Sequence, residues 1–401
     1  KAGMAKKCLV IGSETLSRVV DKHDRDSMIY SDGAGATIIE ATDDEGGILA
    51  HESATFSFDE SKFLYFGNSF SKEEDKTADL IEEYLQEKGV KTHRQQNNVW
   101  AFNQNFSPEK PTILLNSHHD TVRPNSGYTL DPFTPIVKDG KLYGLGSNDA
   151  GGALVSLMAA FLYFYNAKDL KYNFIYAATA EEENSGLDGV ESVLPHFGNL
   201  EFAIVGEPTE MQMAIAEKGL MVVDCEASGT SSHAAHFNDD NAIYNALKDI
   251  EWIKNYQFPN TSEVLGDVKM TVTVINAGKL HNMVPNTCTF TIDVRTTDQY
   301  SNREVLQIIR ETIKSKAEAR SFRLNSSSIP LDHPVINAGL ELGRITYGSP
   351  TTSDQAVIPF PSLKMGPGLS SRSHSSDEFI YVDEIYEGIK IYIQLLSKIV
   401  F

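Results

Sequence analysis

Five side chains in this sequence are of the types that hold a divalent metal through nitrogen or carboxylate oxygen: His118, Asp149, Glu183, Glu207 and His374. No thiolate stands among them, which suits zinc, cobalt or manganese in an open catalytic site better than a closed structural one. One histidine and one carboxylate for each of two ions, with a shared carboxylate between them, uses all five. Two ions roughly 3.5–4 Å apart could share a water and lower its pKa toward ~7. Asp120 follows His118 by two residues. On an extended segment both side chains leave on the same side, so Asp120 can accept the imidazole's other N–H and fix the tautomer. Glu182 stands beside Glu183. Neighbours in extended chain point apart, so one can bind metal while the other faces the activated water as general base.

Alone, each motif is ordinary. His-x-Asp is commonly a hydrogen-bonded pair, three glutamates in a row a solvated helix start, and Gly-Glu-Pro a turn. What sets them apart together is where they stand along the chain. The apolar run 113–115 reads as a buried strand that ends at His118. Residues 172–179, Y-N-F-I-Y-A-A-T, form a second such strand ending in Glu181-Glu182-Glu183, and residues 202–205 a third, ending in Gly206-Glu207-Pro208. A loop over 131–146, punctuated by D-P-F, K-D-G and G-L-G, delivers Asp149 to the start of an apolar helix from Ala153. A short strand over 361–365 precedes the polar loop 373–378 that carries His374, and an amphipathic helix follows over 382–399. Apolar strands alternating with helices predict an α/β fold with a mainly parallel sheet covered by helices on both faces. Ligands gather beyond the carboxyl ends of such strands, which is where His118, Glu182, Glu183 and Glu207 would be delivered.

Residues 219–326 have another rhythm. A strand over 220–228 is followed by a helix over 242–256 with Ile243, Leu247, Ile250 and Ile253 on one stripe. Met270, Val272 and Val274 share a face of the next strand, and Cys288, Phe290, Ile292 and Val294 a face of the one after. Ser301 and Glu304 form a capping box for a second helix, and 321–324 is a last strand. The order βαββαβ predicts a ferredoxin-like unit whose second sheet face is wet or covered by a partner. Ahead of all this, residues 71–89 read as a helix capped at Ser71, with Ala78, Ile81, Tyr84 and Leu85 at helical spacing and Gly89 as terminator. Residues 7–12 read as a buried strand and 31–40 as a glycine-rich bend feeding another, with a turn at 43–47.

At 401 residues the chain should hold two or three domains. Its formal charge of −20 argues against nucleic acid or an anionic membrane as partner. The three cysteines, Cys8, Cys225 and Cys288, are too few for a disulfide framework and fit a reducing, cytoplasmic setting. The longest apolar stretch, 151–165, is too short to span a bilayer, and no signal-peptide pattern is present.

Two family resemblances run along the chain. L-V-I-G-S-E-T-L-S-R (residues 9–18), Asp24-Arg25 and S-D-G-A-G-A (31–36) resemble an internal piece of ketoacyl-acyl carrier protein synthase III, over residues 1–70. That family works with a cysteine, a histidine and an asparagine in one pocket. Cys8 lies inside the strand pattern, so the piece reads as a fragment without its active site. Residues 71–401 resemble the acetylornithine deacetylase / succinyl-diaminopimelate desuccinylase family of co-catalytic zinc metallohydrolases. The motifs are S-H-H-D-T-V (117–122), D-G-K-L-Y-G-L-G-S-N-D (139–149), T-A-E-E-E (179–183), V-G-E-P-T (205–209) and E-K-G (217–219). G-T-S-S-H (229–233), N-M-V-P-N (282–286), D-V-R (293–295) and S-H-S-S-D-E (373–378) follow in the family's order.

This second resemblance implies a catalytic domain over 71–218 and 327–401 and an inserted lid and dimerisation domain over 219–326. It implies two ions, most commonly zinc, with Asp149 bridging, His118 and Glu207 on one and Glu183 and His374 on the other. Glu182 becomes the general base and Asp120 the orienting carboxylate. His233 would help hold the tetrahedral intermediate, from the partner subunit in many relatives, while Asn282 and Arg295 match substrate-contacting positions. A cis peptide between Asp149 and Ala150 is implied as well. The expected activity is hydrolysis of the amide of an N-acyl amino acid, N-acetylornithine or N-succinylornithine, in arginine biosynthesis. A di- or tripeptidase of the same family is the alternative, and a metal-free binding or assembly protein the alternative of another class. Two departures stand out: F-L-Y-F-G-N-S-F (63–70) replaces a family helix, and Ala150-Gly151-Gly152 replaces the usual Met-Lys-Gly.

Overall fold

The structure, a computed structural model, describes residues 75–401 in full and, before them, the backbone of residues 7–14, 33–40 and 71–74. The chain divides into two compact units, Lys1–Glu73 and Glu74–Phe401. In the first, β1 (Lys7–Glu14) pairs antiparallel with β2 (Gly33–Glu40), with Gly12 opposite Gly35. The glycines expected to bend the chain ahead of β2 are therefore part of the strand itself. The turn at 43–47 and the segment 63–70 lie outside the described residues.

The boundary falls in the first turn of α1 (Ser71–Glu87), and the rest of this helix opens the second unit. Ala78, Ile81 and Leu85 are buried, while Tyr84 turns outward and packs its ring under the Lys88 ammonium. Gly89 ends the helix at φ 77°, a left-handed conformation that costs glycine least. The chain continues through β3 (Thr92–Gln95), β4 (Asn98–Phe102), β5 (Thr112–His118), β6 (Ile136–Lys138), β7 (Lys141–Tyr143), α2 (Gly152–Phe164), β8 (Asn173–Thr179), α3 (Val190–Val193), β9 (Leu200–Val205) and β10 (Met213–Glu217). The insertion comprises β11 (Gly219–Ser228), β12 (Ser232–His233), α4 (Ala242–Asn255), β13 (Lys269–Ala277), β14 (Met283–Val284), β15 (Thr287–Thr296), α5 (Asn302–Thr312) and β16 (Lys316–Ala319). The chain then returns with β17 (Ser327–Ser328), α6 (Pro334–Glu341), β18 (Thr346–Ser349), β19 (Ser362–Lys364), β20 (Phe379–Tyr381) and α7 (Val382–Val400).

The central sheet runs β17-β10-β19-β9-β5-β8-β4-β3, with β18 also on β10. Its middle is parallel, β19, β9, β5 and β8; β4 and β3 on one flank and β10 and β17 on the other pair antiparallel, while β18 runs parallel to β10. Alternation along the buried strands divides the core. Ile113, Leu115, Phe174, Tyr176, Phe202 and Ile204 face α1, α2, α6 and α7. Leu114, Ile175, Ala177, Ala203 and Val205 face the other way, against Trp100, Val193, Phe197 and Ile358. Both faces are dry, which is why these strands are apolar throughout. The expected α/β architecture is what the chain adopts.

The insertion forms the antiparallel sheet β13-β15-β11-β16 in βαββαβ order, with α4 and α5 over one face. The α5 capping box forms as read, Ser301 accepting from the Glu304 N–H and Glu304 from Ser301. The insertion's last strand is Lys316–Ala319 and not the expected 321–324, and two stripes also differ from expectation. On α4 the buried line is Ala242, Ala246, Asp249 and Ile253, and Leu247 is exposed. Asp249 is inside because its carboxylate accepts from the backbone N–H groups of Lys314 and Ser315 and from the Ser315 hydroxyl. In β13 the register shifts between Val272 and Val274, and this bulge turns Val274 out to solvent.

Candidate metal centre

His118 closes β5, buried along its whole length, and is itself 1% exposed. Its Nδ1 lies 3.0 Å from the Asp120 backbone carbonyl and 3.5 Å from the Asp120 carboxylate. A carbonyl oxygen only accepts, so Nδ1 carries a proton and Nε2 is turned inward. Nε2 lies 3.3 Å from Asp149 Oδ1, 3.7 Å from Glu207 Oε1 and 4.0 Å from Glu182 Oε2. Both His118 Nε2 and Glu207 Oε1 are buried without a hydrogen-bond partner. Burial opposes charge on His118, but Asp120 and Asp149 outweigh it and hold the imidazole well above its ordinary range. Burial, with Asp149 beside it, pushes the Glu207 carboxyl up to about 8. The cluster therefore draws positive charge to Nε2, the position where a proton and a metal compete.

Glu207 reaches this point because Gly206 lets β9 close on β5. Gly206 N–H donates to the Asn116 carbonyl at 2.7 Å, and the Ser117 hydroxyl donates to Gly206 O at 2.9 Å. A Cβ on Gly206 would meet Leu157 at 2.7 Å.

Glu182 and Glu183 do not lie on extended chain, as strand alternation would have it. They sit in a turn that follows Glu181, whose φ is 62°. Asp120 holds the turn: its Oδ1 accepts from the Glu182 N–H at 3.2 Å and its Oδ2 from the Glu183 N–H at 3.0 Å. Glu183 Oε1 lies 3.2 Å from His374 Nε2, while Glu182 Oε2 lies on the His118 side. Burial raises the Glu182 carboxyl well above its usual range; His118 pulls it down, and Glu207 and Asp354 push it up further.

Asp149 sits between the two histidines, Oδ1 toward His118 and Oδ2 3.6 Å from His374 Nε2. The Asp149–Ala150 peptide bond is cis. Glu378, almost fully buried, accepts the backbone N–H groups of both Asn148 and Asp149 on Oε1 at 2.9 Å. His374 is at φ 59° in a loop fastened to another. The Asn125 amide donates to the His374 carbonyl at 3.2 Å, and Asp377 accepts from Thr129 and Leu130. Glu183 beside it holds the half-buried His374 imidazole above its ordinary range.

Asp120 and Glu378 are buried carboxylates whose hydrogen bonds hold these groups, and Asp354 is a third buried carboxylate close to them; of the three, the sequence pattern assigns a role to Asp120 alone. Glu378 ends the S-H-S-S-D-E motif, so its place was readable; Asp354 sits in T-T-S-D-Q with no such signal. A cleft of about 470 Å³ opens beside the cluster, its lining including Glu182, Glu183, His374, Arg295, Arg323 and Thr352. Arg295 is braced by Asp293, Nε to Oδ1 at 2.8 Å. His233 and Asn282 are not among the lining residues. They lie where β12 pairs with β14, His233 opposite Met283 and the Asn282 carbonyl accepting from the Ala234 N–H.

One ligand atom each from His118, Asp149 and Glu183 lies within 4.8 Å of the other two. With the partnerless Glu207 oxygen and the His374 ring, the donor set is nitrogen and carboxylate only, which fits a zinc-type ion pair. The pattern that defines peptidase family M20/M25/M40 matches residues 114–398, most of the chain and all five of these groups. The chain belongs to peptidase family M20/M25/M40. Residues 1–56 match 3-oxoacyl-[acyl-carrier-protein] synthase III, a shorter stretch than the resemblance was read to cover.

Within the M20 family, the chain is 27% identical to acetylornithine deacetylase of Proteus mirabilis over 67% of this chain and 74% of that one. It is 25% identical to succinyl-diaminopimelate desuccinylase of Wolbachia pipientis, over 72% and 79%. The fold superposes on a dinuclear metal-binding M20 peptidase of Bacillus subtilis with a TM-score of 0.61 at 17% identity, covering 81% and 92%. Among the described residues no helix is long and apolar enough to cross a membrane.

Proposed function

We propose that this M20-family hydrolase cleaves the amide bond of an N-acyl amino acid, with N-acetylornithine and N-succinylornithine as the first substrates to test. The observation that carries the reading is His118 Nε2, buried, partnerless and 3.3 Å from Asp149 with Glu207 beyond it. His118, Asp149 and Glu207 would hold one divalent ion, and Asp149, Glu183 and His374 the other, zinc being the best match, with cobalt or manganese possible. Such ions, when bound, supply the Lewis acidity that lowers the pKa of water and polarises the amide carbonyl.

The rest is done by the chain's own side chains. Glu182, raised by burial, takes the proton of the attacking water and passes it to the leaving nitrogen, so that carboxylic acid and amine separate. Asp120 keeps Glu182 and Glu183 at their places through their backbone N–H groups. Arg295, which lines the same cleft, offers a guanidinium to a substrate carboxylate. His233 reaches a substrate from the partner subunit of a homodimer formed through residues 219–326, and Asn282 is a substrate-contacting position. The exposed apolar side chains Val274 and Ile275 on edge strand β13 support that surface. A cytoplasmic place in arginine biosynthesis is consistent with this chemistry.

The test is a side-by-side hydrolysis assay on N-acetylornithine, N-succinylornithine, succinyl-diaminopimelate and a tripeptide, with bound zinc measured on the same sample. An N-acyl amino acid turned over fastest by zinc-loaded protein supports the reading. A preference for the tripeptide makes the chain a peptidase, and no bound zinc makes it a binding protein.

A further inference from the structure

Asp354 is buried, lies outside the five metal-binding groups, and has no part in the chemistry above. Its Oδ2 accepts from the Asn116 amide at 2.7 Å and from the Thr179 hydroxyl at 3.0 Å. Asn116 stands two residues before His118 on β5; Thr179 ends β8, three residues before Glu182. These two strands are parallel neighbours. One carboxylate oxygen thus joins the two strand ends that carry the ligand and the base. The Thr179 hydroxyl also lies 3.2 Å from Asn116 Oδ1, so the three side chains close on one another.

Asp354 is itself anchored from below. Ser353, just before it, donates its backbone N–H to Glu217 Oε1 at 3.2 Å and its hydroxyl to Glu217 Oε2 at 2.8 Å. Glu217 is fully buried and paired with the buried Lys364 at 3.2 Å. Lys364 also donates to Thr351 Oγ1 at 2.9 Å. A buried carboxylate this close to Asp120, Glu182 and Glu207 is costly unless it is hydrogen-bonded for a purpose. Burial pushes it up to about 6, against the pull of His118.

We propose that Asp354 is a positioning residue: it sets the separation of His118 and Glu182 by tying Asn116 to Thr179 across the β5–β8 junction. The inference rests on the metal-centre reading of His118. Both bonds fall on Oδ2, so an asparagine can present its single carbonyl oxygen to the same two donors. An alanine cannot. The tie therefore requires an acceptor at this point, and a charge is not needed.

The experiment compares Asp354→Ala and Asp354→Asn with the unchanged full chain by zinc titration against a chromophoric chelator and by kcat and KM on the best N-acyl amino acid. Asp354→Ala should bind zinc more weakly and lose kcat, each by about tenfold to a hundredfold, with KM within about twofold. Asp354→Asn should restore both to within about threefold of the unchanged chain. Should Asp354→Ala not fold, Thr179→Val removes one of the two donors and should fall between the other variants in both readouts. Unchanged zinc affinity and kcat in Asp354→Ala, or equal impairment in Asp354→Asn, overturns the tie. Absence of zinc binding by the unchanged chain overturns the metal centre instead, and the same titration distinguishes the two failures.

Discussion

The carboxylate of Asp120 accepts the backbone N–H of Glu183 on Oδ2 at 3.0 Å, while the carbonyl of the same residue takes the Nδ1 proton of His118. One residue therefore orients the histidine with its backbone and the glutamate turn with its side chain. Substitution separates the two. Asp120→Ala leaves the carbonyl, so His118 keeps its orientation and its ion; the freed turn carries Glu183 as well as Glu182, so the other ion should bind more weakly and kcat should fall by about 10–100-fold. Zinc content and kcat on one preparation check this, and complete loss of zinc would show that the carboxylate, not the carbonyl, orients His118.

Glu182→Gln should retain both metals yet lose roughly 10²–10⁴-fold in rate, because it removes a base and no ligand. Loss of a metal from this variant moves Glu182 into the coordination sphere and breaks the assignment.

Glu378 clamps the backbone on either side of the Asn148–Asp149 peptide. Glu378→Ala orphans two backbone N–H groups, at about 1–3 kcal/mol each, and loosens the carboxylate that both histidines face. Chemical denaturation and a zinc titration should fall together. A variant that is less stable with unchanged zinc affinity would confine Glu378 to a structural role.

How far the sequence reveals this site depends on what each residue does. His118, Glu183 and Glu207 were legible because each follows an apolar strand, and strand ends in a parallel sheet meet on one edge. The βαββαβ order and the α5 cap were legible from periodicity and a local motif. The α4 stripe was misjudged at Leu247 because Asp249 is drawn inside by Lys314 and Ser315, a contact made 65 residues away. The divergence of Glu182 and Glu183 was foreseen for the wrong reason: a turn held by Asp120 produces it, and no local pattern announces that bond. Asp354 escaped notice because its partners, Asn116 and Thr179, lie 238 and 175 residues away.

Lys364→Met leaves the fully buried Glu217 without its counter-charge and should destabilise the fold by about 3–5 kcal/mol. Adding Glu217→Gln removes the stranded charge and should recover part of the loss. The comparison is read by chemical denaturation; a double variant no more stable than the single one would mean that the pair acts through packing and not charge.

Residues 1–59 contribute none of the groups placed at the metal centre. A chain starting at Glu60 should keep near-full turnover, and one starting at Ser71 should keep its zinc even if its stability falls. A folded, zinc-loaded chain from Glu60 with no turnover would make residues 1–59 part of the active machinery.

If His118, Asp149, Glu183, Glu207 and His374 form one two-ion centre, equilibrium dialysis of the full chain against zinc, followed by metal analysis, should find two zinc ions per chain. A folded chain that binds none would rule the centre out.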